Sequence, residues 1–589
     1  MNVVGFLRNL TAGCRSLPTV RREWLLIVAG IGCLVVPPPV LAADSTYYVD
    51  GKTGSDANNG LTPTSAFRTI QHAGDAIPLG SAAAGWHIVV QGYSDYVYRE
   101  RPISGGWNRA GAAGAPIVFE AAGYVPGETG YVKPIVSGAD AAPHAGRRWE
   151  ATGTRGVWRT PWSVRPFGYG QNLNTAVFQD VTAWLWERPS LTDLASRAAH
   201  GKGGYVYKTG WLYVAPLGAA AKSPGLHTFD VVTRNAFYFK GMQGANRVEV
   251  RGFEVRNSAN GIAFVGGVDN SVAADDLLVG NLFMGVQVAG DRTARPVNPA
   301  SNDTVINSVF RANTLQGIKI DIGTTNSTFC DNDIAGSGLT GIKLQGAPPG
   351  VANTMRTKGN LVCRNALHDN TYNPTGSVYA NTSGITLANG AQSNTITGNR
   401  IYRNRVGIHV TQEGTGRLPL AGNTLSENWI WSNTRYGIYF YDGMFGSGGG
   451  PVTSTRDLVT GNGLGVRVDR GSTSKLLVLD TIDGNRSDGI RVGLAGGNRA
   501  SVRVLRTLIT NNHGYGIDVR SGSYASLAYV GIRGNSVGGA HGRTTKTAVN
   551  TKPTGYLSTT AADPTYLQIA PTSYQFSAGP NATPIGARW

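Results

Sequence analysis

A right-handed, single-stranded parallel β-helix is the all-β fold that the sequence predicts, and three features predict it. A Gly-[Ile/Val]-x-apolar tetrad recurs through residues 261–519, and an Asn-x-apolar motif recurs between the tetrads. The composition joins 81 Gly in 589 residues to only 15% charged residues. Such a chain reads as many short strands separated by many turns.

The tetrads begin at Gly261, Gly285, Gly317, Gly341, Gly384, Gly407, Gly437, Gly465, Gly489 and Gly516. Their spacings are 24, 32, 24, 43, 23, 30, 28, 24 and 27 residues. A floor near 23–24 with occasional excess describes a coil of fixed size that carries loop insertions. Period-2 alternation in runs of about five residues gives strands with one buried face. No stretch sustains the 3.6-residue period of a helical repeat. Each strand then pairs with its counterpart one coil away, and stacked coils bury a continuous Ile/Val/Leu core that no coil buries alone.

Between tetrads, Asn332, Asn365, Asn399 and Asn428 each precede an apolar residue by two positions, and Asn370, Asn404 and Asn433 follow five residues later. Asn at bends tolerates unusual backbone angles, and repetition in every coil stacks the amides as a ladder. Cys330 and Cys363 stand two residues before Asn332 and Asn365, so the winding makes them neighbours, either as stacked thiols or as a single disulfide.

The chain divides into an export signal (1–42), a cap with the first coils (43–138), an aromatic-rich β insertion (139–250), the main helix (251–536) and a closing segment (537–589). The signal rests on Arg8, Arg15, Arg21 and Arg22 ahead of the apolar run 25–36 and the small residues before 43. That run is shorter than the roughly 20 residues of a membrane span. The expected location is extracellular or periplasmic, with no membrane contact after cleavage. The mature chain retains 49 basic and 35 acidic residues, a balance of +14. This surface favours anionic partners. No Lys/Arg run reaches five and no nucleic-acid-binding motif is present, so nucleic acid is not the expected partner. In the insertion, Trp149, Trp158, Trp162, Trp184, Trp186 and Trp211 read mainly as core.

If the Ile or Val of each tetrad points inward, the next residue points outward. The outward column is Ala263, Gln287, Lys319, Lys343, Thr386, His409, Tyr439, Arg467, Arg491 and Asp518. A second column, two residues on, includes Asp321, Gln345, Ala388, Thr411, Tyr441, Asp469 and Arg520. Insertions at 290–303, 346–358, 412–420 and 442–456 follow the same strand and are expected to wall a groove over this strip. A plain solvated face is the alternative.

Residues 47–72, with Tyr48-Val49-Asp50, Gly54-Ser55-Asp56, Asn59-Gly60 and Phe67-Arg68-Thr69-Ile70-Gln71, resemble the opening of secreted pectate-lyase-like β-helix proteins. Tyr98-Arg99-Glu100 and Pro134-Ile135-Val136-Ser137-Gly138 are similar to their first coils, and Ala562-Asp563-Pro564 with Pro584-Ile585-Gly586-Ala587 to their closing segment. That superfamily holds lyases, hydrolases, epimerases and non-enzymes, so the resemblance implies the fold and leaves the activity open. The expectation is a monomeric enzyme that cleaves an acidic, uronate-containing polysaccharide by β-elimination. A cation neutralises the C6 carboxylate, a base takes the C5 proton, and an acid assists the leaving oxygen. Lys319, Lys343, His409, Tyr439 and Arg467 are the catalytic candidates. Arg491, Tyr441, Arg520, Asp469 and Asp518 are the substrate-binding candidates. The resemblance also implies Ca²⁺ between substrate carboxylate and Asp or Glu, with Asp321, Asp331 and Asp333 as candidate ligands.

Three alternatives remain at this level. Tyr515-Gly516-Ile517-Asp518 is similar to the start of the Tyr-Gly-Asp-Pro-His-Asp stretch of mannuronan C5-epimerases, with Val519-Arg520 in place of Pro-His. A hydrolase would draw its two carboxylates from Asp321, Asp442, Asp469 and Asp518. A non-catalytic polysaccharide binder would use the same groove.

Overall fold

The computed structural model describes residues 42–79, 84–103, 107–167, 176–208, 210–218, 223–241, 246–291, 298–346, 355–371, 382–412, 420–441, 450–494 and 499–551. Apart from Ala42, the expected export signal lies outside the described residues, as does the closing segment beyond 551.

Three strands make each coil. Thr304–Ile306, Val309–Arg311 and Gln316–Ile320 form one turn, and Thr328–Cys330, Asp333–Ala335 and Thr340–Gln345 form the next. Stacking yields three long sheets among the described residues, of 15, 13 and 12 strands. The first runs from Ala42–Val49 to Thr544–Thr547, the second from Val97–Tyr98 to Gly531–Arg533, and the third from Phe237–Lys240 to Gly538–His541. The fold is the right-handed parallel β-helix expected from the sequence, since parallel crossovers take that hand.

The tetrads form the third sheet in one unbroken register. Ile262, Val286, Ile318, Ile342, Ile385, Ile408, Ile438, Val466, Ile490 and Ile517 are successive partners. All ten belong to the continuous interior cluster. Full burial of each such side chain is worth about 1.5–3 kcal/mol. The tetrad glycine serves close approach. A Cβ on Gly317 would lie 2.5 Å from Ile334 Cγ2, on the second sheet, and 2.9 Å from the Gly341 carbonyl of the next coil.

Asparagine ladders run inside the bends. Asn332, Asn365, Asn399 and Asn428 pass an amide N–H to the next rung at 2.9–3.0 Å. Asn370, Asn404, Asn433, Asn462, Asn485 and Asn512 do the same at the following bend, where the ladder ends on Asn535. A further ladder, Asn360, Asn394 and Asn423, was not expected. The expectation about backbone angles needs correction. The left-handed residue is the one before the ladder Asn: Asp331, Arg364, Glu427, Asp369, Arg403 and Ser432 have φ of 52–60°. The asparagines are there for their amides, which satisfy buried main-chain groups of two coils at once. Cys330 and Cys363 are register partners and form a disulfide.

The antiparallel insertion is narrower than the stretch 139–250. Its strands run from Ala139–Ala142 to Phe229–Val232 in two four-stranded sheets. Phe237–Lys240 and Val248–Arg251 already belong to the coils, so the third sheet starts one strand before the first tetrad. Trp162 is fully buried in the insertion, and Trp149 and Trp158 pack against the same cluster.

Two measurements test the ladders. Asn404 is fully buried, accepts two N–H bonds from Asn370 and donates to Leu367, Tyr402 and Asn433. Asn404→Ala is therefore expected to cost about 2–4 kcal/mol in chemical denaturation. The ladder through Asn332 and Asn428 ends on buried carboxyls. Asp457 accepts from Asn428 and Ser454, and Asp480 accepts from Asp457 and Ser454. Burial pushes Asp457 up to about 6; burial, then the charge of Asp457, pushes Asp480 well above the usual carboxylate range. Groups raised on folding contribute stability below their unfolded pKa, near 3.9, and lose it as pH rises through the folded value. Asp457→Asn is expected to raise stability at neutral pH by on the order of 1–3 kcal/mol, with the difference vanishing near pH 4, read from Tm against pH.

Candidate functional site

The outward column forms as the alternation predicts. Tyr238, Ala263, Gln287, Lys319, Lys343, Thr386, His409, Tyr439, Arg467, Arg491, Asp518 and His541 are consecutive register partners on the third sheet. Chemically related side chains thus stand about 4.8 Å apart although 23–43 residues of chain separate them.

The column is not uniformly open. A cleft of about 860 Å³ lies over its early rungs, floored by Tyr238, Gln287, Lys319 and Lys343. Phe167, Phe283 and Leu315 border it where the strands enter, and Asp291, Asp321 and Ile322 where they leave. Phe167 comes from the insertion, tied by its N–H to the Val232 carbonyl at 2.8 Å, and its ring meets Phe283 edge-on at 5.7 Å. Asp321 organises the floor. Its Oδ2 lies 2.8 Å from Lys319 Nζ and accepts from Gln287 Nε2 at 3.1 Å, while Oδ1 accepts the Ile322 N–H at 3.0 Å.

Beyond Lys343 the column is covered. Thr386, His409, Tyr439 and Arg467 are only 5, 4, 8 and 6% exposed. His409 stacks on Tyr439 with centroids 5.0 Å apart and planes within 6°. Burial, then the charges of Lys343 and Arg435, pushes its imidazole down to about 3, so it is neutral at physiological pH. Burial and the neighbouring Asp469 push the Tyr439 phenol up. Asp469 accepts from Arg467 Nε at 2.8 Å and from Tyr439 at 3.5 Å, which closes this group on itself. Tyr441 lies beside Tyr439 at 5.7 Å.

Farther on, Asp518 is fully buried against two guanidinium groups, Arg520 at 2.7 Å and Arg491 at 3.4 Å, and His541 Nδ1 at 3.0 Å. Arg491 also binds Asp488 at 2.6 Å. The thirteen candidate residues therefore separate into distinct places. Lys319, Lys343 and Asp321 share the cleft. His409, Tyr439, Arg467, Tyr441 and Asp469 form a largely buried group on the same sheet, and Arg491, Asp518 and Arg520 an ion network near its end.

Asp331 and Asp333 require correction as partners of Asp321. They belong to the bend and strand of the second sheet, where Asp331 is held by Arg364 and Asp333 by Arg311 and His368. The His368 hydrogen bond, then Arg311, lowers Asp333 to about 2. Both oxygens of Asp321 are engaged by protein donors. The three do not converge as calcium ligands, and among the described residues no group of three His, Cys, Asp or Glu is placed to hold a metal. Asp442 and most of the expected groove walls, 292–297, 347–354, 413–419 and 442–449, lie outside the described residues.

The sequence missed Tyr238, Lys240 and Asp291. Tyr238 and Lys240 sit on a strand, Phe237–Lys240, that has no tetrad glycine, though its Phe-Tyr-Phe alternation was the available signal. Asp291 follows directly on a tetrad strand, Met284–Ala289, and Gly290.

Residues 235–430 match the family model described as the right handed beta helix region. With the winding above, this defines a right-handed β-helix protein. No curated protein matches the sequence. Among solved structures, a XylC complex with xylose is similar at 15% identity, over 84% of this chain and 75% of that one, with a TM-score of 0.47. Pectate lyase Pel9A is similar at 14% identity, over 93% and 97%, with a TM-score of 0.35. The A-module of the Azotobacter vinelandii mannuronan C-5 epimerase AlgE4 is similar at 15% identity, over 53% and 83%, with a TM-score of 0.36. At these identities the likeness is one of fold.

The buried imidazole gives a direct check. A His whose folded pKa lies below its unfolded value, near 6.5, costs stability as pH falls from 6.5 toward the folded value. The His409 ring resonances, assigned by their loss in His409→Phe, are expected to stay fixed between pH 8 and 4. The same variant is expected to weaken the fall in Tm across that range.

Proposed function

We propose that the cleft binds an acidic, uronate-containing polysaccharide and cleaves it by β-elimination. One observation carries this reading: Lys319 and Lys343, distant in sequence, are register partners on the floor of the cleft. Two lysine side chains one rung apart suit a uronate, one as ammonium against the carboxylate and one as amine against the neighbouring C5–H. Asp321 and Gln287 fix the direction of Lys319. The protein's excess of basic residues favours encounter with such a polymer.

In this mechanism Lys319 neutralises the C6 carboxylate and so acidifies C5–H. Lys343 acts as the neutral amine and takes the C5 proton. The C5 electron pair forms the C4=C5 double bond, the C4–O4 bond breaks, and the departing oxygen takes up the proton that Lys343 removed. The Cys330–Cys363 disulfide supports a location outside the cytoplasm, in an oxidising compartment.

A hydrolase is the second reading, supported by two carboxylates, Asp291 and Asp321, along one side of the cleft. Asp469 and Asp518 are buried, ion-paired and away from this cleft, so they serve neither reading there. A screen of pectate, alginate, glycosaminoglycans and bacterial exopolysaccharides separates the possibilities. Unsaturated, ultraviolet-absorbing ends mark a lyase. Reducing ends without unsaturation mark a hydrolase, and retention without turnover marks a binder.

On the active polymer, Lys319→Ala and Lys343→Ala are each expected to lower kcat/KM by about 10²-fold or more with the circular dichroism spectrum unchanged. Full turnover by the double variant would overturn the mechanism.

A further inference from the structure

We infer that the antiparallel insertion belongs to the substrate site: Phe167 is the wall against which a sugar ring packs, and Val181 and Trp184 are the positioning residues that hold that wall in place. This inference rests on the reading of the cleft as an acidic-polysaccharide site.

A uronate unit has two unlike surfaces, a carboxylate edge and a ring face made of C–H groups. The cleft floor, with Gln287, Lys319 and Lys343, is suited to the first. The second calls for an apolar surface, and an aromatic ring supplies a large, flat one. Phe167 is the partly exposed ring that the insertion brings to the strand-entry side of the cleft. It meets Phe283 edge-on, directly before Met284–Ala289, the strand that carries Gln287. Leu315, directly before the Lys319 strand Gln316–Ile320, donates its N–H to the Phe283 carbonyl at 3.1 Å. The apolar wall thus runs beside the Gln287 and Lys319 rungs.

The insertion is docked so as to place this wall. Phe178 of the insertion shares one apolar cluster with Leu282, Phe283 and Met284 of the coils, and Phe167 and Trp184 pack against it. Polar contacts then fix the fit. Trp184 Nε1 donates to the Ala312 carbonyl at 3.0 Å. In the turn between Val177–Gln179 and Ala183–Leu185, Val181 has φ of 70°, a left-handed angle that a β-branched residue rarely adopts. The Val181 carbonyl accepts from Asn257 Nδ2 at 2.7 Å. Gly280 leaves room for it, since a Cβ there would lie 2.5 Å from the same oxygen.

Asn257, Gly280 and Ala312 occupy successive bends. Each bend leads into a strand that lines the cleft: Asn260–Val265, Met284–Ala289 and Gln316–Ile320. Strained backbone persists where its surroundings over-determine it, and such residues gather at functional sites. Here the strained turn bonds the insertion to the coils that build the cleft. The sugar is held by its ring face as well as by its carboxylate, and the insertion supplies the face contact.

The test uses the full chain with size-fractionated pectate, alginate and glycosaminoglycan oligomers, titrated calorimetrically and assayed for turnover. On an oligomer that the unmodified protein binds, Phe167→Ala is expected to raise Kd and KM about tenfold with kcat within about twofold. Phe167→Leu, which fills the wall without a flat ring, is expected to do the same, and it decides the matter if the alanine variant does not fold. Phe167→Tyr is expected to restore binding. Trp184→Phe keeps an aromatic ring but removes the donor to Ala312, and a rise in KM with kcat retained is expected there too. Unchanged affinity in Phe167→Leu overturns the inference, as does a loss confined to kcat or failure of the unmodified protein to bind any of the three oligomers. Product analysis keeps the two claims apart. Unsaturated products with binding indifferent to Phe167 overturn the role of the insertion alone, whereas Phe167-dependent binding with no unsaturated product overturns β-elimination alone.

Discussion

The molecule depends on one constraint: each coil must repeat the path of the last closely enough for a carbonyl of one tetrad glycine to sit where a Cβ of its neighbour would otherwise be. Gly317 against Gly341 and Gly407 against Gly437 show the contact, with the absent Cβ falling within 2.5–2.9 Å of the next glycine's oxygen. Register follows from this spacing. A slip of one residue would bring Ile318 outward and Lys319 into the apolar interior. The asparagine ladders fix the same register from the bends, because each amide bonds its counterpart only when the coils are aligned. Apolar burial favours stacking, and the polar ladders select which stacking.

Function inherits this alignment. Side chains with related chemistry become neighbours because they occupy the same place in a repeat, so a one-dimensional pattern becomes a surface column. What the repeat does not set is the fate of each rung. Asp321 turns Lys319 toward Gln287 in an open cleft, while Asp469 closes on Arg467 and Tyr439 in a buried group. Similar pairs of cation and carboxylate thus serve binding in one place and internal neutralisation in another. Burial decides between them. An ion pair under 10% exposed has its charges matched and withdrawn from solvent, whereas Lys319 and Lys343 remain partly exposed over a cleft.

The sequence made the winding legible because the repeat is strict where the physics is strict. Ile or Val must fill the core, Gly must permit close approach, and Asn must satisfy the bend. Ladder membership, the outward column and the proximity of Cys330 to Cys363 all followed. Other features were hidden for identifiable reasons. Burial of an outward residue depends on non-local cover, so His409 and Tyr439 read like Lys319 in sequence. Asp331 and Asp333 lie near Asp321 along the chain, but a bend and a change of sheet separate them. Phe237–Lys240 escaped notice because Ala236 stands there in the place of the tetrad glycine.

The central claim is that positions 319 and 343 are side-by-side partners facing out from one sheet. Cys330 and Cys363 show that outward register partners in adjacent coils lie within disulfide reach, with Cα atoms 4.5 Å apart. A chain carrying Lys319→Cys with Lys343→Cys, oxidised and mapped by mass spectrometry, should yield a 319–343 crosslink. Lys319→Cys with Thr386→Cys, two coils apart, should not. Efficient crosslinking of the second pair and none of the first would contradict the register on which the cleft is built.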